Sequence, residues 1–180
     1  MAHNDSFFSA LQQLRQLPLD VRTITLGINV SDCHNHSLHT LCEGLYQRII
    51  SKAERLTSVC GEVSSLFGVP IMQRRIVVTP IDRVAQGFAA SDLVNVAKTL
   101  EGAAAQVRVD RIGGFAADVQ HGTSSSAREM IASLPAALSQ TVRVRAAMHV
   151  GTTESGVNMD AIALLADALK QTAQADSERN

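Results

Sequence analysis

DRIGGFAADVQHGTSSSAREM, from Asp110 to Met130, sets a pair of glycines, an acid, an amide, a histidine and a third glycine between a strand-like segment and a helix-like one. RVDRIGGF on its amino side reads as a strand, and SSAREMIASLPAALSQ on its carboxyl side repeats apolar residues every three or four positions. The same order recurs along the chain. VRTITLGINV, from Val21, and the loop SDCHNHS precede a helical stretch from Leu38 to Leu66. QRRIVVTP precedes DLVNVAKTLEGAAAQV, and VRVRAAMHVG precedes NMDAIALLADALKQTAQ. Four βα units result. Crossovers of that length join parallel strands, so the fold class is α/β with a parallel sheet, and all strand carboxyl ends lie at one rim. Ligands of such sheets collect at that rim, where this chain has SDCHNHS, TPIDRVAQG, GGFAADVQHG and GTTESGVN.

The totals agree with one α/β domain over residues 1–180. A chain of 180 residues with 46% hydrophobic and 18% charged residues supports a single packed core. Phe7, Leu11 and Leu14 fall near helical spacing before Pro18, which predicts an amphipathic helix within residues 1–20; QADSERN, from residue 174, reads as a loose polar tail. With 3% aromatics, no Trp and a net charge of -1, the chain has neither a base-stacking platform nor a basic field for nucleic acid. No apolar run reaches the roughly 20 residues that cross a bilayer. Three cysteines, Cys33, Cys42 and Cys60, and no secretory leader predict reduced thiols and a cytoplasmic location.

The strands are greasy on one face only. Ile24, Leu26 and Ile28 alternate with Thr23, Thr25 and Asn29; Val142, Val144, Ala146 and Met148 alternate with Arg143, Arg145 and His149; Val107 and Val109 alternate with Arg108 and Asp110. Helices cover the apolar face. The polar face looks onto water, other chain or a cavity such as a large barrel encloses, and the cavity is the favoured expectation. The competing reading is that these arginines form ion pairs at exposed edges.

Gly113 and Gly114, near the expected strand end, would let backbone amides approach a phosphate or carboxylate, and Ser126 with Glu129 fits a capping box at the next helix start. The glycines equally permit a simple bend. The pattern is neither a dinucleotide fingerprint nor a P-loop, so nicotinamide and ATP lose support and no cofactor is identified. In SDCHNHS, Asp32 and Cys33 are candidate catalytic residues: a cysteine near a helix start can have a depressed pKa, while Asp32 equally suits a helix cap. Thiolate with His34, His36 and His39 is also metal-ligand chemistry, but the spacing matches no zinc signature and no metal site is assigned. Gln120, Gly122, Gly151, Thr152 and Asn158 are candidate ligand-binding residues, with capping the alternative for Asn158. Cys42 and Cys60 fall on a helix as core residues. Ser124 to Ser126 lack a nucleophile elbow, which excludes that type of serine hydrolase.

VRTITLGINVSDC at Val21 to Cys33, together with VTPI, DRIGGFAADVQHG, LPAALSQT and GTTESGVNMDA, resembles the uncharacterised bacterial and archaeal "PFL family protein" group. The likeness runs from Val21 to about Ala173. It implies the α/β barrel of pyruvate formate-lyase, of which this chain would be the N-terminal half, and an association with a small ACT-domain protein. Radical chemistry is not implied. The residues that match family motifs are Asp32, Cys33, Gly113, Gly114, Gln120, Gly122, Gly151, Thr152 and Asn158.

Three expectations follow for function. One is a small carboxylate-bearing metabolite bound at the strand tips by an enzyme, with Asp32 or Cys33 nearest the chemistry. Another is a metabolite-binding regulator that works with an ACT-domain partner. The third is a half-barrel subunit that needs a second chain or self-association to close.

Overall fold

The computed structural model describes residues 21–177, so the expected helix within residues 1–20 lies outside the described residues. Four parallel strands, β1 (Val21–Ile28), β2 (Ile71–Val78), β3 (Arg111–Asp118) and β4 (Val144–His149), stand side by side in chain order. A 3-10 turn, Ser31–Cys33, leads into α1 (Leu38–Ala53) and α2 (Leu56–Phe67). One helical turn, α3 (Ile81–Val84), and the long α4 (Ala90–Gln106) join β2 to β3, and α5 (Ser125–Ser139) joins β3 to β4. A small antiparallel hairpin, β5 (Gly151–Thr152) and β6 (Gly156–Val157), precedes α6 (Met159–Ser177). Helix α6 continues past residue 174, where the loose tail was expected.

Each helix presents a stripe of apolar side chains to one sheet face. Leu41, Leu45, Ile49 and Ala53 form that stripe on α1; Leu93, Ala97, Leu100 and Ala104 on α4; Ala127, Ile131 and Leu134 on α5. They close over Ile28, Ile76, Val78, Ile112, Phe115 and Val144, and each large side chain so buried contributes roughly 1.5–3 kcal/mol. Among the described residues no helix covers the other face, which is bare in that sense. Thr23, Thr25 and Gly27 on β1, Arg75 on β2, Arg111 on β3, and Arg145 and Ala147 on β4 are all exposed there. One-sided cover is what strand order β1-β2-β3-β4 produces, because every right-handed crossover then places its helix on the same side.

Two local expectations are corrected first. The stretch Leu38 to Leu66 is two helices, broken at Glu54 and Arg55, and the second turns to pack against β2. The Thr57 hydroxyl fixes that turn by donating to the Val107 carbonyl at 3.0 Å. The third strand starts at Arg111 rather than in the valine alternation before it. Val107 caps α4, Arg108 has a left-handed φ of 57°, and Val109 folds back into the core with its N–H on the Ala104 carbonyl at 3.1 Å. A helix end followed by one buried valine imitates strand alternation.

The polar face therefore holds Thr23, Thr25, Arg145 and His149 as expected, but not Arg108, Asp110 or Arg143. Arg143 precedes β4 and donates from Nη1 to Glu101 Oε1 at 2.7 Å. Asp110 accepts from the Arg74 backbone N–H at 2.7 Å and from Arg74 Nε at 3.2 Å. For these two pairs the ion-pair reading holds.

Gly113 and Gly114 lie within β3, four or more residues before its end. Gly113 pairs with Val77 and with Arg145, and the register slips between Gly113 and Phe115, so Gly114 is a bulge. Its φ is 111°, and a Cβ there would stand 2.6 Å from the Val78 carbonyl oxygen. The bulge inverts the side-chain alternation. Phe115 turns into the core, fully buried, and Asp118 pairs with His149 on the bare face. Of the two readings of the glycine pair, the bend is the one realised.

Gly114→Ala is expected to cost about 3 kcal/mol or more in urea unfolding, since the new methyl meets backbone in a left-handed conformation. Gly27→Ala, with nothing within 4 Å, is the near-neutral control. Burial works to raise the Glu101 pKa, but hydrogen bonds from Arg143 and Val142 outweigh it and hold the carboxyl below its ordinary value. Its contribution is therefore present at neutral pH and lost as pH falls through the folded-state value. Glu101→Gln should lower stability by about 2 kcal/mol at neutral pH, with the difference from wild type vanishing in acid.

Candidate functional site

The carboxyl ends of the four strands carry a continuous line of hydrogen bonds. At β1 and β2, the Thr79 hydroxyl donates to Asn29 Oδ1 at 3.1 Å and accepts from the Val30 N–H at 3.2 Å. His34 Nδ1 donates to the Val84 carbonyl at 2.7 Å, tying the 3-10 turn to α3. Across β2 and β3, the Asp118 N–H donates to Asp82 Oδ2 at 3.2 Å. Gln120 donates to Asp118 from its backbone N–H and from Nε2, each at 3.3 Å, and its Oε1 accepts from Ser155 Oγ at 3.1 Å. Ser155 in turn shares a 2.5 Å hydrogen bond with Thr152 Oγ1.

Beside this line opens a cleft of about 520 Å³, lined by Asp82, Arg83, Asp118, His121 and the loop from Gly122 to Ser124. Its two walls differ in charge. One carries Asp82 and Asp118. The other is the amino end of α5, 15 residues long, where Ser124 caps the helix by accepting from the Ala127 N–H at 3.1 Å. Free amides at such an end favour an anion. Arg83 reaches from α3 to 4.0 Å from Asp118.

The two carboxyls are unlike. Burial pushes the Asp82 pKa up, and the Asp118 charge adds to this against the Asp118 N–H and Arg83. Its Oδ1 is buried without a hydrogen-bond partner, whereas both Asp118 oxygens accept from Gln120. Burial thus favours the neutral form of Asp82, while Asp118 keeps both its oxygens hydrogen-bonded at the cleft.

The expected capping box forms differently. Ser124, not Ser126, is the cap; the Ser126 hydroxyl donates to the Asp82 carbonyl at 2.9 Å, and Glu129 accepts from the Ala90 N–H at 2.8 Å, capping α4 instead. Burial of a helix start against a neighbouring helix start put each side chain within reach of the other's backbone.

Of the residues singled out in the sequence, Gln120, Gly122 and Thr152 stand on this rim, Gly122 with a φ of 133° that turns the loop into α5. Asn158 is held as a cap: its Oδ1 accepts from the Ala161 N–H at 3.1 Å while Nδ2 donates to the Val119 carbonyl at 2.6 Å. Gly151 serves the hairpin, where a Cβ would meet the Val157 Cα at 2.9 Å. Asp32 is exposed and ion-paired with Arg48 of α1, which lowers its pKa. Cys33 lies half-buried near Gly44, and burial, then the Asp32 charge, pushes its thiol up rather than down. Cys60 is buried as expected and Cys42 partly so. His34 and His36 meet edge to face with ring centres 5.5 Å apart. Among the described residues no group of three or more His, Cys, Asp or Glu is arranged to hold a metal ion.

Sequence reasoning passed over Asp82 and Ser155, and noted the acid Asp118 and His121 without assigning either a site role. Asp82 follows directly on a strand end in TPIDRV, which was the available signal; Asp118 needed the bulge to reach the rim.

A family profile described as "Uncharacterised ACR (DUF711)" matches residues 12–180. The chain belongs to this family. A UPF0210 protein of Methanosarcina acetivorans is 39% identical over 177 residues, 98% of this chain and 38% of the relative. UPF0210 proteins of Thermoanaerobacter sp. and Desulfovibrio desulfuricans are 38% and 40% identical over 98% and 95% of this chain, and 39% and 37% of their own lengths. The chain thus spans about two fifths of these curated relatives. The sequence resemblance to an uncharacterised family is thus met by DUF711, but these matches give no support to the "PFL family protein" naming or to a pyruvate formate-lyase-type barrel. Among the described residues no helix is long and apolar enough to cross a membrane.

Because folding raises the Asp82 pKa, the folded state retains a proton that the unfolded chain releases. Stability then falls as pH rises from about 4 through the folded-state value. Asp82→Asn removes that fall, so its Tm is expected to match or exceed wild type at neutral pH, with a flatter profile. Parallel Tm profiles for the two proteins would contradict the placement of Asp82.

Proposed function

We propose that this DUF711 chain binds a small polar, carboxylate-bearing metabolite in the rim cleft, with its carboxylate toward the amino end of α5 and a proton-bearing group toward Asp82 and Asp118. The unlike pair of carboxyls sharing one open cleft carries this reading. The ligand-binding residues are Gln120, Gly122 and Thr152 with Asp118, and the turn bearing Asp32 and Cys33 extends the rim on the β1 side. In an enzyme Asp82 is the group that exchanges a proton with the bound metabolite. In a regulator the same pair reads the ligand's protonation state, and the ACT-domain partner implied by the sequence resemblance belongs to that case.

A second reading concerns completion of the sheet. β4 is an edge, and beside it a cavity of about 840 Å³ is lined by Leu134, Leu138, Val142, Met148, Leu165 and Leu169. Val142 and Leu169 are 70% and 62% exposed. An unpaired parallel edge with apolar side chains beside it favours further strands on that side, either from family-length sequence or from a second copy. A barrel of the pyruvate formate-lyase kind is one such completion, and the bare polar face would then line its interior.

Pyruvate, lactate and alanine are suitable first probes, followed by chemical-shift perturbation on the labelled chain. Shifts are expected to cluster at Gly122 to Ala127 and at Asp118, and Gln120→Ala or Asp118→Asn should weaken the response about tenfold, the equivalent of one lost hydrogen bond of roughly 1.4 kcal/mol. Shifts confined to other surfaces would overturn the rim as the binding place.

A further inference from the structure

Three arginines stand together on the bare sheet face, away from the rim. Arg75 on β2 is the register partner of Arg111 on β3, and Arg145 on β4 is the partner of Gly113, two residues beyond Arg111 on the same face. With strands about 4.8 Å apart, the three Cα atoms lie within about 12 Å. All three side chains are exposed.

Their charges have no counterpart nearby. The ion pairs among the described residues engage Arg48, Arg74, Arg83 and Arg143, and none of these three. The neighbouring positions on this face are Thr23, Thr25 and Gly27 of β1, Gln73 and Val77 of β2, and Ala147 of β4. Asp118, the acid on the β3 face, is seven residues beyond Arg111, roughly 20 Å along the strand. Like charges on paired strand positions destabilise a sheet unless something neutralises them.

The floor between them is open. Gly113 has no side chain, and Arg75 Nη2 lies 3.2 Å from where its Cβ would be, so that guanidinium rests over the glycine. Arg145 is turned the other way: its Nη1 donates to the Val142 and Val144 carbonyls, both at 2.9 Å, and because the Arg143 carbonyl between them accepts from the Ile112 N–H of β3, these two face the free β4 edge and hold the guanidinium there. Guanidinium forks match the geometry of carboxylate and phosphate oxygens.

We propose that Arg75 and Arg111 form an oxyanion-binding site over Gly113, taking the phosphate or carboxylate group of a ligand on the strand face. The site is separate from the rim cleft and does not depend on it. Phosphate esters and dicarboxylates share the required chemistry.

The test is calorimetric titration and thermal unfolding of the 180-residue chain with inorganic phosphate and with succinate, using sodium chloride at matched ionic strength as control. Saturable binding of one or both beyond the chloride effect is expected, and the tighter of the two identifies the source. Arg111→Gln should weaken it at least tenfold. In anion-free, low-salt buffer the same variant should have a Tm equal to or above wild type, because repulsion is removed; its pyruvate response at the rim should be unaltered. Arg75→Gln serves as the second variant and should behave alike. The proposal is overturned if chloride reproduces the effect, if the variants bind phosphate and succinate as wild type does, or if Arg111→Gln loses stability without anion. Loss of the pyruvate response in wild type with oxyanion binding intact would remove the rim reading alone.

Discussion

Cover on only one side of a parallel sheet is the constraint from which the rest of this structure follows. Strands laid down in chain order, each returned by a right-handed crossover, force all the helices onto one face. The apolar side chains of Ile28, Ile76, Ile112 and Val144 can be buried on that face alone. The opposite face has to be compatible with water or with whatever closes over it, and it carries Thr, Gln, Arg and small residues accordingly. Parallel sheets are ordinarily covered on both faces. The bare face is a direct consequence of that winding.

A single residue, Gly114, decides what the third strand contributes. Without its bulge, alternation would send Phe115 to the bare face and Asp118 into the helix layer. With it, Phe115 fills the core and Asp118 stands at the rim, its N–H on Asp82 and its oxygens on Gln120. The close approach of Val78 leaves no room for a side chain at that point, so the conformation and the packing select glycine together.

The organisation of the chain was legible because it rests on periodicity. Strand, loop and helix recur with lengths that admit only parallel connection, and the four strands and the helices after them occur in the expected order, although the third strand begins only at Arg111 and the Leu38 to Leu66 stretch divides into two helices. The failures have a common cause. Val107 to Asp110 alternates like a strand but closes a helix, because the Val109 N–H finds a carbonyl in α4. Ser126 and Glu129 have capping-box spacing but engage Asp82 and Ala90 of other elements. The thiol of Cys33 follows its burial and the Asp32 charge rather than its nearness to a helix start. In each case a partner distant in sequence outcompeted the local one.

By itself the sequence determined the α/β class, the parallel winding, the one-sided greasiness of the strands and the rim as the place where Gln120, Gly122 and Thr152 gather. These depend on the order of residue types along the chain, which local sterics and burial convert directly into elements. Only the tertiary structure decided that Gly113 and Gly114 belong to the ladder, that Asp82 and Asp118 meet, and that Arg75 and Arg111 share one face without a carboxylate beside them. Such pairings depend on strand register and on a bulge, and a shift of one residue in either moves a side chain to the opposite side of the sheet.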